Sequence, residues 1–351
     1  VLYWILLSLF LLFAVLSILK FLLKIELKMN PSKINIKLFF IAFFIMVIAW
    51  LPYLLIYYPG NLSSDSVSSI NQVLGISQYS NHHPILFTIF VKTFMNFGLM
   101  FGDLNFGVAC FSLAQITVLA SVLSYFIYWL KGKGVANYIL ILITLFFALN
   151  PVIAMYSITM WKDIMFAGWI LLFMMLLYDI VESNGKLLCS FKGLSLLIIV
   201  SLLVSFGRNN GLYVVIIVLA TLLICFRKYY KILLPTFLST VLLVCFIQGP
   251  IYNFLGIKQS GFAESVGMPL QQIGYTLEQK GNITDSQKEF LNNLMPIDTI
   301  VEAYTPFSPD FIKFNPSFNN DFLDNNKGEF LKTWVEILPS NFPKYVKAWL
   351  M

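Results

Sequence analysis

The sequence has 351 residues, of which 59% are hydrophobic, only 11% are charged and 34 are phenylalanine. One globular core cannot enclose this much apolar side chain, so the composition excludes a soluble globular protein and predicts an all-α polytopic membrane protein. The formal net charge is +6. There is no P-loop, no glycine-rich dinucleotide fingerprint and no nucleic-acid-binding pattern, so we expect no nucleic acid partner.

Acidic residues divide the chain into two parts, because only six of the 17 precede Leu255. We therefore expect a transmembrane helix domain at residues 1–254, with an outer loop at 59–103. An extracytoplasmic, mainly helical soluble segment should follow at 255–351. The chain starts without methionine and ends on the apolar run FPKYVKAWLM, which indicates a piece of a longer protein that stops before a further span.

Eight apolar stretches are candidate spans, several of them shorter than the roughly 20 residues that a perpendicular helix needs. They are Val1–Leu19, Lys37–Tyr58, Leu104–Leu130, Asn137–Ser157, Ile164–Ile180, Gly193–Phe206, Leu212–Phe226 and Ile232–Phe254. A bundle of this kind belongs in the plasma membrane as a multi-pass protein.

Basic residues set the orientation of these spans. They cluster in four loops: Lys20/Lys24/Lys28/Lys33/Lys37, Lys131/Lys133, Lys186/Lys192 and Arg227/Lys228/Lys231. By the positive-inside rule these loops face the cytoplasm, so the loops between them face outward. If the apolar stretch Pro84–Phe101 crossed the membrane, the Lys131/Lys133 loop would face outward, and burial of Lys92 would cost about 2.5 to 3.5 kcal/mol. We expect it to be a non-spanning helix, while a true span with a miscounted neighbour stays open.

Three polar stretches then lie on the outer side, and together they predict an extracytoplasmic active face: the loop from Asp65 to His83, the stretch around Trp161 to Asp163, and SFGRNNGL around Arg208. Lys162 and Arg208 violate the positive-inside preference, which indicates an anionic ligand for them. The alternative is neutralisation of buried charge, with Lys162 paired to Asp163 and Arg208 paired to Asp65 or Asp163.

Asp65 stands in NLSSDSVSS, where a carboxylate can act as a general base or bind a divalent cation such as Mg²⁺ or Mn²⁺. The alternative is a helix N-cap, a role that Asp65 and the serines around it all suit. His82 and His83 precede Pro84; one of them can hydrogen-bond a phosphate or an acceptor while the other packs. No cysteine joins them on the outer side, so zinc is not expected.

The remaining candidates have two interpretations each. Trp161 suits the membrane interface or stacking on a sugar face. Asn209 and Asn210 can hydrogen-bond a ligand, or RNNG can be a turn in which Gly211 takes a positive φ.

In the soluble segment, Gln271 and Gln272, with Glu264, can contact donor or acceptor, or belong to a surface helix. A Thr-Asp-Ser-Gln sequence at Thr284 predicts a capped helix start.

Three stretches within the first third of the chain resemble known families: SSDS, NHHPILFTIF and FGDLNFG. They are similar to the protein O-mannosyltransferase and aminoarabinose transferase branches of the GT-C glycosyltransferase superfamily, whose motif reads roughly Asp, spacer, His-Pro-Pro-Leu. Ile85 replaces the second proline, and the single Asp65 stands where the family has an acidic pair, which leaves metal dependence open. TMWKDIMFA, GRNNGL and GMPLQQIGYTLEQKGNIT resemble a bacterial family of multispanning glycosyltransferase-like proteins.

The resemblance implies a GT-C-like helix bundle that takes a sugar from a polyprenyl-phosphate donor and gives it to a glycan, lipid or protein acceptor at the outer membrane face. Asp65 matches the family's base or metal ligand. The alternative is a lipid or solute transporter or flippase with the charges lining a path. A transporter would be expected to show an internal repeat with broken helices in both halves, and the sequence shows none.

Overall fold

The computed structural model describes residues 35–351 and, before them, residues 6, 8, 10–17 and 20, which are helical. Part of the predicted span Val1–Leu19 and most of the first basic cluster therefore lie outside the described residues. The chain divides into two compact units, Val1–Lys258 and Gln259–Met351. The sequence predicted a boundary between a transmembrane part and a soluble part after Phe254.

The predicted all-α class is confirmed, because helices dominate both units and the described residues contain only two strands, of two residues each. We number the elements from the first helix with described bounds. In Val1–Lys258 they are α1 (Lys37–Ile56), β1 (Asn61–Leu62), α2 (Ser64–Val73), α3 (Ile85–Met100), α4 (Leu104–Gly132), α5 (Asn137–Leu149), α6 (Pro151–Ser157), β2 (Thr159–Met160), α7 (Lys162–Glu182), α8 (Phe191–Gly207), α9 (Gly211–Cys225), α10 (Tyr230–Phe246) and α11 (Tyr252–Phe254). A π-helical turn, Ile247–Ile251, joins α10 to α11.

Four helical segments among the described residues are long and apolar enough to cross a membrane: α1, α4, α7 and the run Arg227–Phe254. The pair α5 and α6 passes the same test but bends by 60° at Asn150, so it is a broken span or a re-entrant loop. The other apolar helices, α3, α8 and α9, are shorter. The helices expected at Gly193–Phe206, Leu212–Phe226 and Pro84–Phe101 therefore exist.

The packing of α1 against α4 forms the core that supports the polar end of this unit. Met46 and Trp50 of α1 are fully buried with Ile116 and Ile127 of α4. The Trp50 indole donates to the carbonyl of Phe147 at 3.2 Å, so a large apolar side chain also satisfies its single polar atom. A second core joins α7, α8 and α9.

A cluster of polar side chains ties the last turn of α7 to the end of α4. Lys133 forms ion pairs with Asp179 and Glu182, and the indole of Trp129 donates to both oxygens of Asp179 at 3.0 and 3.2 Å. The Lys133 ammonium also lies over the Tyr178 ring. We call this group the Lys133 clamp; it fixes the register of α4 and α7.

The unit Gln259–Met351 has its own apolar core, in which Leu291, Leu323 and Phe330 are completely buried. Thr284 caps the helix Asp285–Leu294 in a capping box with Gln287, as the sequence predicted. Its helices are α12 (Gly267–Glu278), α13 (Asp285–Leu294), α14 (Ile297–Ala303), α15 (Asp310–Lys313), α16 (Asn320–Asn325) and α17 (Lys327–Leu350).

Candidate functional site

Two short parallel strands bring distant parts of the chain together. Asn61 of β1 pairs with Thr159 of β2, and Leu62 pairs with Met160. Each strand leads within a residue or two into a helix, α2 after β1 and α7 after β2. The first turns of these two helices therefore lie side by side, with their N–H groups and positive dipole ends at the same place.

Buried polar side chains of α4 hold this junction. The Gln115 side chain, 1% exposed, donates to the carbonyls of Tyr156, Ser157 and Thr159 at 3.1, 3.1 and 2.7 Å. The Ser112 hydroxyl donates to the carbonyl of Pro59 at 3.2 Å. Both strands are thus attached to one long helix, which makes the junction a rigid platform rather than a pair of free loops.

The start of α2 is fixed by its own cap. Ser63 is the N-cap, and it forms a capping box with Ser66. Asp65 is therefore not the cap that its position in NLSSDSVSS allowed; it lies in the first turn, and its side chain is free to contact the residues that follow β2. The Ser63 hydroxyl also reaches the carbonyl of Met160 at 3.4 Å.

Asp65 lies at the centre of the site. Its Oδ2 accepts a hydrogen bond from the ammonium of Lys162 and another, at 3.1 Å, from the indole of Trp161. Lys162 Nζ also lies 3.1 Å from Nδ1 of His83. Lysine can only donate, so Nδ1 accepts this bond and the proton of the imidazole is on Nε2. Lys162 thus pairs with Asp65 and not with Asp163, the partner considered as an alternative to an anionic ligand.

The electrostatics of the cluster follow from burial and from the Lys162 ammonium. Burial by itself raises the pKa of Asp65, but the hydrogen bond from Lys162, the charges of His83 and Lys162 and the hydrogen bond from Trp161 together outweigh it and hold the pKa below the ordinary 3.8. Burial, together with the Lys162 charge, lowers the pKa of His83 from 6.5 to about 4. Near neutral pH the site therefore holds a carboxylate, an ammonium and a neutral imidazole, and the 3.9 Å approach of His83 Nε2 to Asp65 Oδ1 is not an ion pair.

Arg208 lies beside this cluster at the end of α8. Its Nε is 3.4 Å from Oδ1 of Asp163, and half of its side chain is exposed. Of the two partners expected from the sequence, Asp65 or Asp163, the structure selects Asp163. The contact is an ion pair without hydrogen-bond geometry, which leaves guanidinium donors of Arg208 directed to its surroundings.

Asn209, next to Arg208, joins this part of the chain to the loop before Pro84. Its amide donates to the carbonyls of Asn81 and His82 at 3.0 and 3.2 Å. Asn210 precedes α9 and makes no side-chain cap bond. Gly211 does not take the positive φ that a turn at RNNG would allow: it is helical, and a Cβ there would meet the Val204 carbonyl at 1.9 Å. Close backbone approach requires this glycine.

An apolar cleft of about 210 Å³ opens next to Lys162, between α3, α4, α7 and α8. Lys162 is the only charged residue in its lining, which otherwise consists of Leu86, Phe87, Phe90, Val118, Met165, Trp169, Leu203 and Gly207. Gly207 immediately precedes Arg208. The cleft thus carries one cationic group, Lys162, and the rest of its lining is apolar.

No group of three or more His, Cys, Asp or Glu side chains that could hold a metal ion occurs in the part of the chain that the structure describes. Asp65 also has an ammonium as its closest partner, which a divalent cation would have to displace. The donor set around Asp65 therefore fits a metal ion poorly.

Gln271 and Gln272 lie in the other unit and are 7% and 9% exposed, so the expectation of a surface helix is wrong. Gln271 donates to the carbonyl of Thr305 at 2.9 Å. Gln272 donates to the carbonyl of Tyr345 and accepts from the Trp334 indole. These contacts lie within the core of Gln259–Met351, and Glu264 is ion-paired there with a buried lysine.

Fold and site together define a helical protein with membrane-length apolar helices and an ion-paired polar cluster at one end of them. The chain belongs to a family of unknown function, DUF6020, whose model matches residues 75–351. The matched range contains every candidate site residue except Asp65. No curated protein and no solved structure matches the chain.

Proposed function

We propose that this protein is an integral membrane glycosyltransferase that moves a sugar from a polyprenyl-phosphate donor to an acceptor at the outer membrane face. The observation that carries the proposal is the double role of Lys162, which bonds the carboxylate of Asp65 and also lines an apolar cleft. A lipid-linked sugar phosphate has the matching parts: a hydrocarbon chain, an anionic group next to it, and a reacting carbon beyond the phosphate.

The length of α7 supports the membrane placement. Its 21 residues extend about 30 Å, which equals the thickness of a hydrocarbon core. Lys162 begins this helix, and the Lys133 clamp holds its other end. The positive-inside rule assigns the Lys131/Lys133 loop to the cytoplasm, so the Asp65 cluster belongs at the outer surface, at the depth of lipid phosphates.

The donor phosphate would compete with Asp65 for the Lys162 ammonium. When Lys162 turns to the phosphate, Asp65 loses the hydrogen bond that lowers its pKa, and it becomes a better proton acceptor. Arg208, half exposed beside the same cleft, offers a planar set of donors to the same phosphate. Binding of the donor would thus activate the base.

The transfer itself requires one bond to form and one to break. The acceptor hydroxyl oxygen attacks the anomeric carbon of the sugar while its proton passes to Asp65. The bond from that carbon to the phosphate oxygen breaks, and polyprenyl phosphate leaves with the electron pair. Lys162 and Arg208 stabilise the charge that develops on the leaving phosphate.

The test is transfer of radiolabelled sugar from extracted polyprenyl-phosphate donors by the full-length protein in lipid vesicles. Wild type is compared with Asp65→Asn and with Asp285→Asn, a fully exposed carboxylate outside the site, each with and without EDTA. We expect transfer by wild type and Asp285→Asn, none by Asp65→Asn, and no effect of EDTA. A fully active Asp65→Asn protein would refute the base, and carrier movement across the bilayer without transfer would show a flippase.

A further inference from the structure

A second apolar recess lies between α1 and α5, at the other end of the same unit. It measures about 400 Å³ and is lined by Leu38, Ile41, Ala42, Ile45, Leu140, Ile141, Thr144 and Leu145, with Asn35, Lys131 and Asn137 completing the lining. Along α4, Lys131 lies about 24 Å from Gln115 at 1.5 Å per residue. The recess is therefore separate from the Asp65 site.

The floor of the recess is part of the protein core and its rim is open. Ala42 and Leu140 are 1% and 3% exposed, whereas Ile41 and Ile141 are each 57% exposed. The surface is thus concave, with two helices as walls. A hydrocarbon chain lying in the recess would contact protein on several sides. A lipid on a convex helix surface contacts protein on one side only.

The polar residues of the lining carry a positive charge. Lys131 Nζ donates to Oδ1 of Asn137 at 2.8 Å, and within the described ranges it forms no ion pair with a carboxylate. Lys133, two residues later, is already ion-paired with both Asp179 and Glu182. Lys131 therefore offers the charge that an anionic group at the mouth of the recess would require.

We propose that this recess binds an anionic phospholipid, with one acyl chain between α1 and α5 and the phosphate at Lys131 and Asn137. The apolar walls match the chain, and the ammonium with the neighbouring amides matches a phosphate oxygen. The positive-inside rule places Lys131 in the cytoplasmic leaflet, where anionic lipids supply the ligand. This site is independent of glycosyl transfer and would exist in a transporter as well.

A bound lipid would stabilise the contact of α1 with α5, because its chain would cover both walls. A substance that binds only the folded state raises the melting temperature, and at a given concentration the tighter binder raises it more. Stability of the full-length protein in detergent is therefore a direct readout. It requires no substrate and no transfer assay, so its failure and the failure of the transfer reaction are distinguishable.

The experiment compares phosphatidylglycerol with phosphatidylcholine by native mass spectrometry and by thermal unfolding of the full-length protein. Lys131→Gln removes the charge, and Ile41→Trp fills the recess from its rim. The matched controls are Lys192→Gln, an exposed lysine elsewhere, and Ile48→Trp, an exposed isoleucine two turns along α1 that does not line the recess.

We expect wild type and both controls to retain phosphatidylglycerol and to be stabilised by it more than by phosphatidylcholine. Lys131→Gln should lose that preference, with a roughly fivefold weaker affinity for phosphatidylglycerol, and Ile41→Trp should bind neither lipid at this site. Equal binding of the two lipids by wild type, or wild-type retention by both recess variants, would overturn the proposal. Dimer formation at this face, blocked by Ile41→Trp, would replace the lipid with a second copy of the chain.

Discussion

The ammonium of Lys162 donates a hydrogen bond to the carboxylate of Asp65, 97 residues earlier in the chain. Lys162 is the first residue of α7 and Asp65 is in the first turn of α2, so the pair joins two helix N-termini. A carboxylate is favourable at such an end, whereas an ammonium is not. Asp65 therefore attracts the Lys162 ammonium, while the positive end of the α7 dipole repels it. This balance suits an ammonium that moves from Asp65 to another anion.

The first prediction concerns the pH dependence of transfer in Lys162→Met. Without the ammonium, Asp65 loses both the hydrogen bond and the charge of Lys162 that lower its pKa, so the pKa of Asp65 rises. A base works deprotonated, so activity falls as the pH drops through its pKa, and a raised pKa moves the acid limb of kcat/KM to higher pH. The profiles of kcat/KM and kcat for wild type, Lys162→Met and Lys162→Arg would be measured.

In wild type we expect the acid limb of the kcat profile to lie at a higher pH than that of kcat/KM. The reason is that kcat reports the complex in which Lys162 has turned to the phosphate. Lys162→Arg should keep the wild-type kcat/KM limb. Coincident limbs in wild type together with an unmoved limb in Lys162→Met would contradict the switching role of Lys162.

The second prediction concerns stability in acid. The pKa of His83 is about 4 in the folded protein and 6.5 when unfolded, and the charges that face it belong to Lys162 and Asp65, with His82 beside it. Between these pH values the unfolded chain binds more protons, so the free energy of unfolding falls as the pH drops from 6.5 to 4. The loss is at most about 3 kcal/mol before solvent screening.

Thermal unfolding in detergent at a series of pH values checks this prediction. His83→Asn removes the titrating group but keeps an acceptor for Lys162. We expect the melting temperature of wild type to fall more steeply than that of His83→Asn between pH 6.5 and 4. Parallel curves would show that His83 does not carry the effect; the lowered pKa of Asp65 adds a loss of the same sign at lower pH in both proteins.

The third prediction concerns the platform beneath the site. Gln115→Leu leaves the carbonyls of Tyr156, Ser157 and Thr159 without their shared donor, so we expect the free energy of unfolding to fall by about 1 to 3 kcal/mol. Transfer should also fall, since β2 positions Lys162. Thr117→Val is the matched control, because that exposed hydroxyl only bonds within its own helix. Equal melting temperatures for the two variants would be the contrary result.

The fourth prediction separates binding from folding at Arg208. Its ion pair with Asp163 is half exposed, so Arg208→Gln should change the free energy of unfolding by less than about 1 kcal/mol. Loss of a charge-assisted hydrogen bond to the donor phosphate should raise KM for the donor roughly 10- to 100-fold. The control is Arg227→Gln, which removes the other arginine of the chain, at the start of a turn before α10. An unchanged KM together with a large loss of stability would make Arg208 a structural residue.

Much of the site follows from where the polar residues stand in the sequence. Asp65, His83, Trp161 and Lys162 were all expected on one side of the membrane, and the structure brings them into one cluster. The pattern of charge in an apolar chain carries this information, because a polar group in such a chain needs a partner. It does not say which partner: the sequence left Lys162 open between an anionic ligand and a pair with Asp163, and the structure pairs it with Asp65.

The parts that could not be predicted are those that depend on tertiary contacts of ordinary residues. Gln115 is one amide in an apolar stretch, and nothing in its neighbours signals that it collects three carbonyls from a distant turn. The strands β1 and β2 are two residues long, too short for any alternation to appear. Gly211 has the sequence of a turn, while its role depends on the Val204 carbonyl packed against it.

The pairing of β1 with β2 joins two parts of the chain that are made at different times. During synthesis Asp65 leaves the ribosome long before Lys162, and its partner exists only after α4, α5 and α6 have been made. A chain divided at the bend between α5 and α6 would carry the carboxylate on one fragment and the ammonium on the other. Co-expression of the two fragments would restore the cluster only if they reassociate, which makes the site a reporter of correct assembly of the whole helical unit.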